Sequence, residues 1–460
     1  MNGAVELPLG AAELSFTAAG EARVRRSILP SGVRVLTEQV PGSRSATVGF
    51  WVAVGSRDEA AADATRPSTF GSTHFLEHLL FKGTPTRTAL DIAISFDAVG
   101  GEHNALTAKE YTCYYAKVQD RDLPMAVEVL ADMFTSSLLD PVEFDNERGV
   151  ILEELSMAGD DPGDVANERF FEAILGEHPL GRPIGGSADT INQATREAVH
   201  EHYVANYRPN DLVVTAAGAL DHDELVAGLE RALAAGGWNP ALEAAPVERR
   251  ANAPAPLAPT RELTVVQRPI EQVNLLLGVP GLVATDARRS TMSVLNTVFG
   301  SGMSSRLFQE VRERRGLAYA VYSFSPSYSD AGLFGMYAGC APSKAPTVAE
   351  LMRSELDRVA RDGVTEDELR RASGQLAGAS ALALEDSDTR MSRLGRAELT
   401  LGEFVDLDEA LRRIARVSAD DVRALAADLA SRPFSLVAVG ASEESDFEGL
   451  VNGPPRSDAA

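Results

Sequence analysis

Residues 73–83 read THFLEHLLFKG, a pattern typical of a helix of about three turns that ends at Gly83. His74 and His78 are four residues apart, so both imidazoles project from one face of this helix. Two imidazoles placed one turn apart can share a divalent metal ion, and Glu77 adds a carboxylate beside them. That position suits a general base that acts on a water molecule. The order H-x-x-E-H is the inverse of the zinc motif H-E-x-x-H.

An amphipathic helix that carries two histidines by chance is the alternative interpretation. The chain has only 7 histidines, and two of them lie one turn apart with a glutamate between them. We therefore prefer the metal-site interpretation. A hydroxyl from Ser72 or Thr73 is expected to cap the start of the helix.

The length of 460 residues suggests two to four domains, each large enough to bury its own core. No apolar run reaches the roughly 18 residues needed to cross a membrane. The first 26 residues lack the pattern of a signal peptide or a transit peptide. Cys113 and Cys340 are far apart and offer no disulfide framework, which is typical of a reducing compartment. We expect a cytoplasmic protein.

The net charge is −24, from 67 acidic and 43 basic residues. This charge would repel nucleic acid and anionic membrane surfaces, so neither is expected as a partner. An acidic interior that attracts basic peptides is one interpretation of the excess. A solvated, solubilising surface is the preferred one, because no single acidic cluster dominates the sequence.

Strand-like and helix-like patterns occur in runs on both sides of the histidine stretch, and the order repeats in the second half. In the first half, strand patterns cover 33–36, 46–54, 103–106 and 111–118, and helical patterns cover 87–99, 122–139 and 141–157. In the second half, strand patterns cover 273–279, 317–324 and 332–339, and helical patterns cover 287–299, 304–314 and 347–361. Each half closes with Arg-Pro and an apolar strand, at 208–214 and 432–438.

This repeat predicts an α+β fold of two homologous domains, each a largely antiparallel sheet packed with helices. The period of the repeat is a whole domain, too long for a solenoid. The predicted divisions are a loosely held arm (1–26), a metal-binding domain (27–238), a Pro/Ala-rich linker (239–260), a second domain without the metal site (261–443) and a tail (444–460).

A hydrolytic zinc site usually has three protein ligands and keeps one position open. No other histidines form a convincing pair, because His200 and His202 are two residues apart and face different sides of a helix. The helical pattern at 141–157 carries Glu143, Glu147, Glu153 and Glu154. Glu147 and Glu154 are seven apart and share a face, so spacing leaves either one open as the third ligand. The other could hydrogen-bond a ligand histidine, and the remaining two glutamates are expected to face solvent.

Several stretches together resemble the pitrilysin-type zinc peptidases, in particular the branch of the mitochondrial processing peptidase β subunit and its bacterial relatives. These stretches are HFLEH at 74–78, FKGT at 81–84, NA at 104–105, YYAK at 114–117 and ERGVILEE at 147–154. The resemblance runs through both halves, over residues 27–440. In that family the third ligand lies 76 residues after the second histidine, which selects Glu154. The resemblance assigns Glu147 to the outer shell and implies one Zn²⁺ ion per chain. The ligand types would also suit cobalt or manganese.

The resemblance also implies roles for residues outside the motif. Asn104 and Ala105 correspond to an edge strand that holds the backbone of the substrate as an added strand. Arg312 and Tyr319 correspond to an arginine and a tyrosine, seven residues apart, that the second half supplies to the catalytic site. From spacing alone, Asn104 would be a turn residue, and Arg312 and Tyr319 could equally be a helix end and a core tyrosine.

The function that the resemblance implies is zinc-dependent hydrolysis of unfolded or short peptides, bound in a cleft or chamber between the two halves. The alternative is a non-catalytic structural subunit, like family members that keep the fold and lose the motif. The intact HxxEH at 74–78 argues against that alternative. The resemblance further implies a homodimer, and a heterodimer with a metal-free homologue is also compatible with it.

Overall fold

The computed structural model describes residues 3–64, 66–239, 241–257 and 261–451. The strands, in chain order, are β1 (Ala4–Glu6), β2 (Glu13–Thr17), β3 (Arg23–Ile28), β4 (Arg34–Gln39), β5 (Ser45–Val52), β6 (Glu102–Thr107), β7 (Thr112–Gln119), β8 (Val213–Gly218), β9 (Leu263–Gln267), β10 (Val273–Pro280), β11 (Ala318–Phe324), β12 (Leu333–Cys340), β13 (Glu403–Val405) and β14 (Ser435–Gly440).

The α-helices, in chain order, are α1 (Ser72–Leu79), α2 (Ala89–Asp97), α3 (Leu123–Ser136), α4 (Pro141–Asp160), α5 (Pro162–Leu175), α6 (Ala188–Gln193), α7 (Arg196–Asn206), α8 (His222–Ala235), α9 (Arg289–Gly300), α10 (Ala345–Asp362), α11 (Glu366–Ala383), α12 (Ser387–Arg396), α13 (Leu407–Ala415) and α14 (Ala419–Ala430). Short 3₁₀ and π segments lie between some of them. The predicted α+β class is confirmed.

The chain forms two compact units, and each draws on both halves of the sequence. The first combines the residues up to Leu155 with Pro183–Arg250 and Ala381–Glu409. The second combines Ser156–Arg182 and Ala251–Ser380 with the residues from Ala410 onwards. The predicted ranges 27–238 and 261–443 treated each half as continuous, which the compact units are not. A helical pattern in a sequence shows that a helix has an apolar face, but it does not show which sheet that face covers.

The sheet of the first unit has the strand order β2-β3-β4-β8-β5-β7-β6, and β4 and β8 are its parallel pair. β5 is buried along nearly its whole length because α3 packs on one face of the sheet and α12 on the other. Helix α12 packs closely on its face of the sheet, since a Cβ atom on Gly395 of this helix would lie 2.6 Å from the Trp51 ring. β6 forms one edge of this sheet.

The expectation of a loosely held N-terminal arm at 1–26 is wrong for its described residues. β1 pairs with β13, and β2 pairs with β3 as part of the main sheet. Leu7 and Ala22 are buried in the apolar cluster between the sheet and α12. The strands at 4–6 and 13–17 were missed because strands this short give no clear alternating pattern. The partner of β1 is also distant in sequence.

The sheet of the second unit has the order β11-β12-β10-β14-β9, with β14 and β9 parallel. The predicted hairpin is present as β11 and β12. α10 and α14 pack together in the core of this unit, and α5 packs on β10 and β14.

The predicted linker and tail are partly outside the described residues. Residues 241–257 form no helix or strand, while Pro240 and Pro259 of the predicted linker lie outside the described ranges. In the predicted tail, Phe447 and Val451 are buried in the core of the second unit, so its described part is packed rather than free. Residues 452–460 lie outside the description. Within the described chain, no helix has both the length and the hydrophobicity required to cross a membrane.

Candidate metal centre

Helix α1 holds the histidine motif with its apolar side in the core of the first unit. Phe75, Leu76 and Leu79 are buried there, whereas the two histidines and Glu77 are only partly buried. The α-helix ends at Leu79 and continues as a 3₁₀ turn over Leu80–Lys82. The apolar residues therefore fix the helix and turn its three polar groups to the opposite side.

The predicted hydroxyl cap of this helix is not formed. Ser72 is already the first helical residue, and the N-cap position belongs to Gly71, which has a left-handed φ of 84° and no side chain to accept a hydrogen bond. The backbone N–H groups of Gly71 and Thr73 donate instead to the carboxylate of Glu59. A cap from a residue so far back in the chain has no local sequence signal.

The two imidazoles and one carboxylate converge. The Nε2 atoms of His74 and His78 are 3.3 Å apart, and the Oε2 atom of Glu154 lies 3.6 Å and 3.5 Å from them, respectively. Ligands about 2.0–2.1 Å from a tetrahedral zinc ion stand about 3.3–3.4 Å from one another. Within the part of the chain that the structure describes, this is the one group of three or more such side chains with metal-ligand spacing. The donor set therefore fits a zinc ion.

The structure separates the two glutamates that spacing alone left equivalent. Glu154 of α4 presents its oxygen to the Nε2 side of both rings and is half-exposed. Glu147, two turns earlier, is only 4% exposed and lies 2.8 Å from Nδ1 of His78. Glu154 thus faces the Nε2 atoms of both histidines, whereas Glu147 faces the other ring nitrogen of His78.

Glu147 also contacts Lys82, which the sequence analysis had not assigned a role. The Nζ atom of Lys82 lies 2.6 Å from Oε1 of Glu147. An ionised carboxylate can only accept, so His78 donates its Nδ1–H and keeps the lone pair on Nε2 for a metal. Lys82 is four residues after His78, a spacing that could have suggested this contact if the second carboxylate had been known.

We expect Glu147→Gln to raise the zinc dissociation constant about 10–100-fold. The amide keeps the shape of the side chain but removes the charge that orients His78 and pairs with Lys82. A competition titration against a zinc-binding dye measures the change. Asp145→Asn, on an exposed position of the same helix, is the matched control and should bind zinc like the wild type. Equal affinities for both variants would contradict the outer-shell role.

The surroundings of His74 favour its neutral form. Burial and the neighbouring His78 lower the pKa of its imidazole, while the carboxylates of Glu77 and Glu154 oppose that change. Its Nδ1 atom is buried without a hydrogen-bond partner among the described residues. The backbone at Gly185 passes close by, since a Cβ atom there would lie 3.5 Å from this nitrogen. A lowered pKa favours the neutral imidazole, which is the form that binds metal ions.

Asn104 and Ala105 lie on β6, at the edge of the sheet, as the resemblance implied. Asn104 is therefore in a strand and not in a turn. Its side chain is exposed, and its Oδ1 atom accepts a hydrogen bond of 2.8 Å from the N–H of Ala105. An edge strand offers backbone groups that can pair with a further strand.

Arg312 and Tyr319 belong to the second unit and contact each other there. Nη1 of Arg312 donates to the backbone oxygen of Tyr319 at 2.9 Å, and its guanidinium lies 4.4 Å from the centre of the Tyr319 ring. The ring is 76% exposed, so the alternative of a core tyrosine is wrong. Their catalytic roles remain a prediction.

His202 packs against helix α1 but does not belong to the group of His74, His78 and Glu154. Its Nε2 atom donates to the hydroxyl of Thr73, and its Nδ1 atom accepts from the amide of Asn206, both at 3.3 Å. Burial lowers the pKa of His202 from 6.5 to about 4. The folded protein therefore holds this imidazole in its neutral form.

This pKa predicts a loss of stability in mild acid. Between pH 6.5 and pH 4 the unfolded chain binds a proton that the folded His202 does not, so the free energy of unfolding falls as pH is lowered. The contribution amounts to about 3 kcal/mol across this range. Denaturant unfolding at several pH values measures it. His202→Gln should remove this part of the pH dependence, whereas His200→Gln, exposed on the same helix, should retain it. An identical pH dependence in both variants would contradict the assignment.

Comparison with known proteins identifies the family to which this chain belongs. Residues 34–188 match the family model described as insulinase (peptidase family M16), and residues 193–376 match the peptidase M16 inactive domain. An uncharacterised zinc protease of Streptomyces coelicolor is 50% identical over 431 residues, covering 94% of this chain and 92% of the relative. An uncharacterised zinc protease of Bacillus subtilis is 37% identical, covering 91% and 98% of the two chains.

Solved structures show the same two-domain fold. A peptidase M16 inactive domain from Pseudomonas fluorescens aligns with a TM-score of 0.78 at 19% identity and covers 94% of this chain and 98% of its own. A protease from Helicobacter pylori also aligns with a TM-score of 0.78, at 20% identity, and covers 93% and 99%. At such identities the alignments concern the fold alone. The two family models, which span most of the chain, and the relatives at 37–50% identity show that the chain belongs to peptidase family M16.

Proposed function

We propose that this protein is a zinc-dependent endopeptidase that cleaves unfolded or short peptides. The convergence of His74, His78 and Glu154 at distances that suit tetrahedral zinc is the observation that carries this proposal. The naming of relatives at 37–50% identity as zinc proteases supports it. We propose one zinc ion per chain, held by these three side chains. Zinc bound there would act as a Lewis acid that polarises the scissile carbonyl and acidifies a water molecule.

Glu77 is the proposed general base. Glu77 lies on α1 between His74 and His78 in sequence and is partly buried. It does not belong to the group formed by His74, His78 and Glu154. Its carboxylate takes a proton from the attacking water as the carbon–oxygen bond forms. It then gives that proton to the leaving nitrogen as the peptide bond breaks. The net reaction consumes one water molecule and yields a carboxylic acid and an amine.

The edge strand β6 is the proposed binding position for the substrate. A peptide that pairs with β6 would be held by backbone hydrogen bonds, with Asn104 and Ala105 at the point of contact. Backbone pairing requires an extended segment, so folded proteins would be poor substrates. This supports a preference for unfolded or short peptides.

Arg312 and Tyr319 are part of the proposal as donors that stabilise negative charge on the substrate carbonyl. A single well-placed donor of this kind contributes about 2–4 kcal/mol to catalysis. We also propose that the chain acts as a homodimer, on the basis of the family resemblance. Light scattering coupled to size-exclusion chromatography tests the oligomeric state.

Mass-spectrometric mapping of the products from a peptide library tests the proposed activity. The purified chain is loaded with zinc, and the Glu77→Gln variant prepared in the same way serves as the control. Internal cleavage by the wild type and not by the variant is the expected result. A zinc-loaded wild type that cleaves no peptide would instead favour a non-catalytic structural subunit.

A further inference from the structure

We propose that Glu59 is a positioning residue for the metal centre, because its carboxylate fixes the start of the helix that carries His74 and His78. This inference rests on the function proposed above. Glu59 lies in the segment between β5 and α1 and is only 5% exposed. It lies outside the stretches of sequence on which the family resemblance rests.

Both carboxylate oxygens of Glu59 accept hydrogen bonds from the start of α1. Its Oε1 atom accepts from the N–H of Thr73 at 2.9 Å, and its Oε2 atom accepts from the N–H of Gly71 at 2.8 Å. The first N–H groups of a helix have no acceptor within the helix, and α1 has no side-chain cap of its own. A carboxylate also interacts favourably with the positive end of the helix dipole. Thr73 directly precedes the ligand His74, so Glu59 acts one residue away from the first ligand.

The backbone at the start of α1 also packs closely against a neighbouring side chain. Gly71 has a left-handed φ of 84°, which favours glycine. A Cβ atom at this position would come within 2.6 Å of the Ile191 side chain. The backbone therefore approaches Ile191 on one side and is bound by Glu59 through two amides.

The segment that carries Glu59 is itself held by the hairpin of β6 and β7. The backbone N–H groups of Ser56 and Arg57 donate to the carbonyl oxygens of Ala108 and Lys109, at 3.2 Å and 3.0 Å. Residues 108–109 lie in the turn that joins β6 to β7. Glu59 and its segment thus connect α1 to the hairpin whose edge strand β6 is the proposed substrate position. We infer that this connection aligns the histidines of α1 with that strand.

A purely structural cap would behave differently from a positioning residue. It would lower the stability of the fold without changing the affinity of the folded protein for zinc. The same unit offers a matched comparison at the start of α8. Oδ1 of Asp221 accepts from the N–H groups of Asp223 and Glu224, at 2.9 Å and 3.0 Å. The chemistry is the same, but α8 carries none of the proposed ligands.

The experiment compares Glu59→Ala, Glu59→Gln and Asp221→Ala in the full-length chain. Zinc dissociation constants come from competition with a zinc-binding dye, and melting temperatures are measured with and without zinc. We expect Glu59→Ala to raise the zinc dissociation constant about 10–100-fold, the range for residues that orient metal ligands. Glu59→Gln keeps one acceptor oxygen and should show a smaller increase. Asp221→Ala should lower the melting temperature and leave the zinc dissociation constant unchanged.

Wild-type zinc affinity in both Glu59 variants would overturn the inference, whatever their melting temperatures. If Glu59→Ala does not fold, Glu59→Gln decides, because it preserves the size of the side chain and one hydrogen bond. A wild-type chain and an Asp221→Ala variant that both fail to bind zinc would overturn the proposed function, and the inference with it. The two failures are therefore distinguishable by the behaviour of the wild type.

Discussion

Glu77→Gln is expected to abolish peptide hydrolysis while the protein keeps its zinc. The variant preserves the shape of the side chain, and the three convergent donors of His74, His78 and Glu154 are unchanged. An amide cannot take a proton from water at neutral pH, so the step assigned to Glu77 is lost. Removal of a general base typically lowers the rate about 10²–10⁴-fold. A decrease in kcat of this size, with little change in KM, is the expected pattern.

Two measurements on one preparation check this result. Metal content is determined by mass spectrometry, and the rate of cleavage is followed with a quenched fluorescent peptide. Glu153→Gln, at an exposed position of α4, controls for the loss of one carboxylate from the acidic surface and should retain activity. Full activity of a zinc-loaded, contaminant-free Glu77→Gln preparation would refute the assignment of the base.

Glu154→Ala is expected to remove both zinc and activity. The carboxylate of Glu154 lies 3.6 Å from Nε2 of His74 and 3.5 Å from Nε2 of His78. Its side chain is not part of the buried core. The loss in zinc affinity should exceed the roughly 100-fold that marks the upper end for outer-shell changes. Because Glu154 is half-exposed, the variant should fold with nearly the stability of the metal-free wild type.

Glu153→Ala provides the matched control for this prediction, since it removes a neighbouring glutamate from the same helix. It should bind one zinc ion and cleave peptides like the wild type. Titration of metal-free protein with zinc, followed by an activity assay, distinguishes the two variants. Stoichiometric zinc in Glu154→Ala with an affinity near that of the wild type would exclude Glu154 as a ligand.

Much of the site could be predicted because it depends on spacing within single elements. The four-residue interval between His74 and His78 places them on one face of a helix, wherever that helix packs. The seven-residue interval between Glu147 and Glu154 likewise narrowed the third ligand to two candidates. Spacing could not choose between them, and the family resemblance selected Glu154. The structure then placed each carboxylate at a different nitrogen of His78.

The errors have a common origin in contacts between distant segments. The arm at 1–26 was expected to be loose because its strands gain their partners from elsewhere in the chain. The start of α1 was assigned a local hydroxyl cap, whereas its acceptor is Glu59 from the preceding loop. In both cases the short stretch itself carries too little information, because the stabilising partner lies outside it.

By itself, the sequence determined the fold class, the duplicated order of elements and the helix face that presents two histidines. These follow from periodicity and turn chemistry, which act over a few neighbouring residues. Only the tertiary structure decided which half of the chain supplies α5 and α12 to each sheet, that Lys82 pairs with Glu147, and that Glu59 accepts hydrogen bonds from the start of α1. Such contacts depend on how apolar faces pack in three dimensions, and no interval along the chain encodes that packing directly.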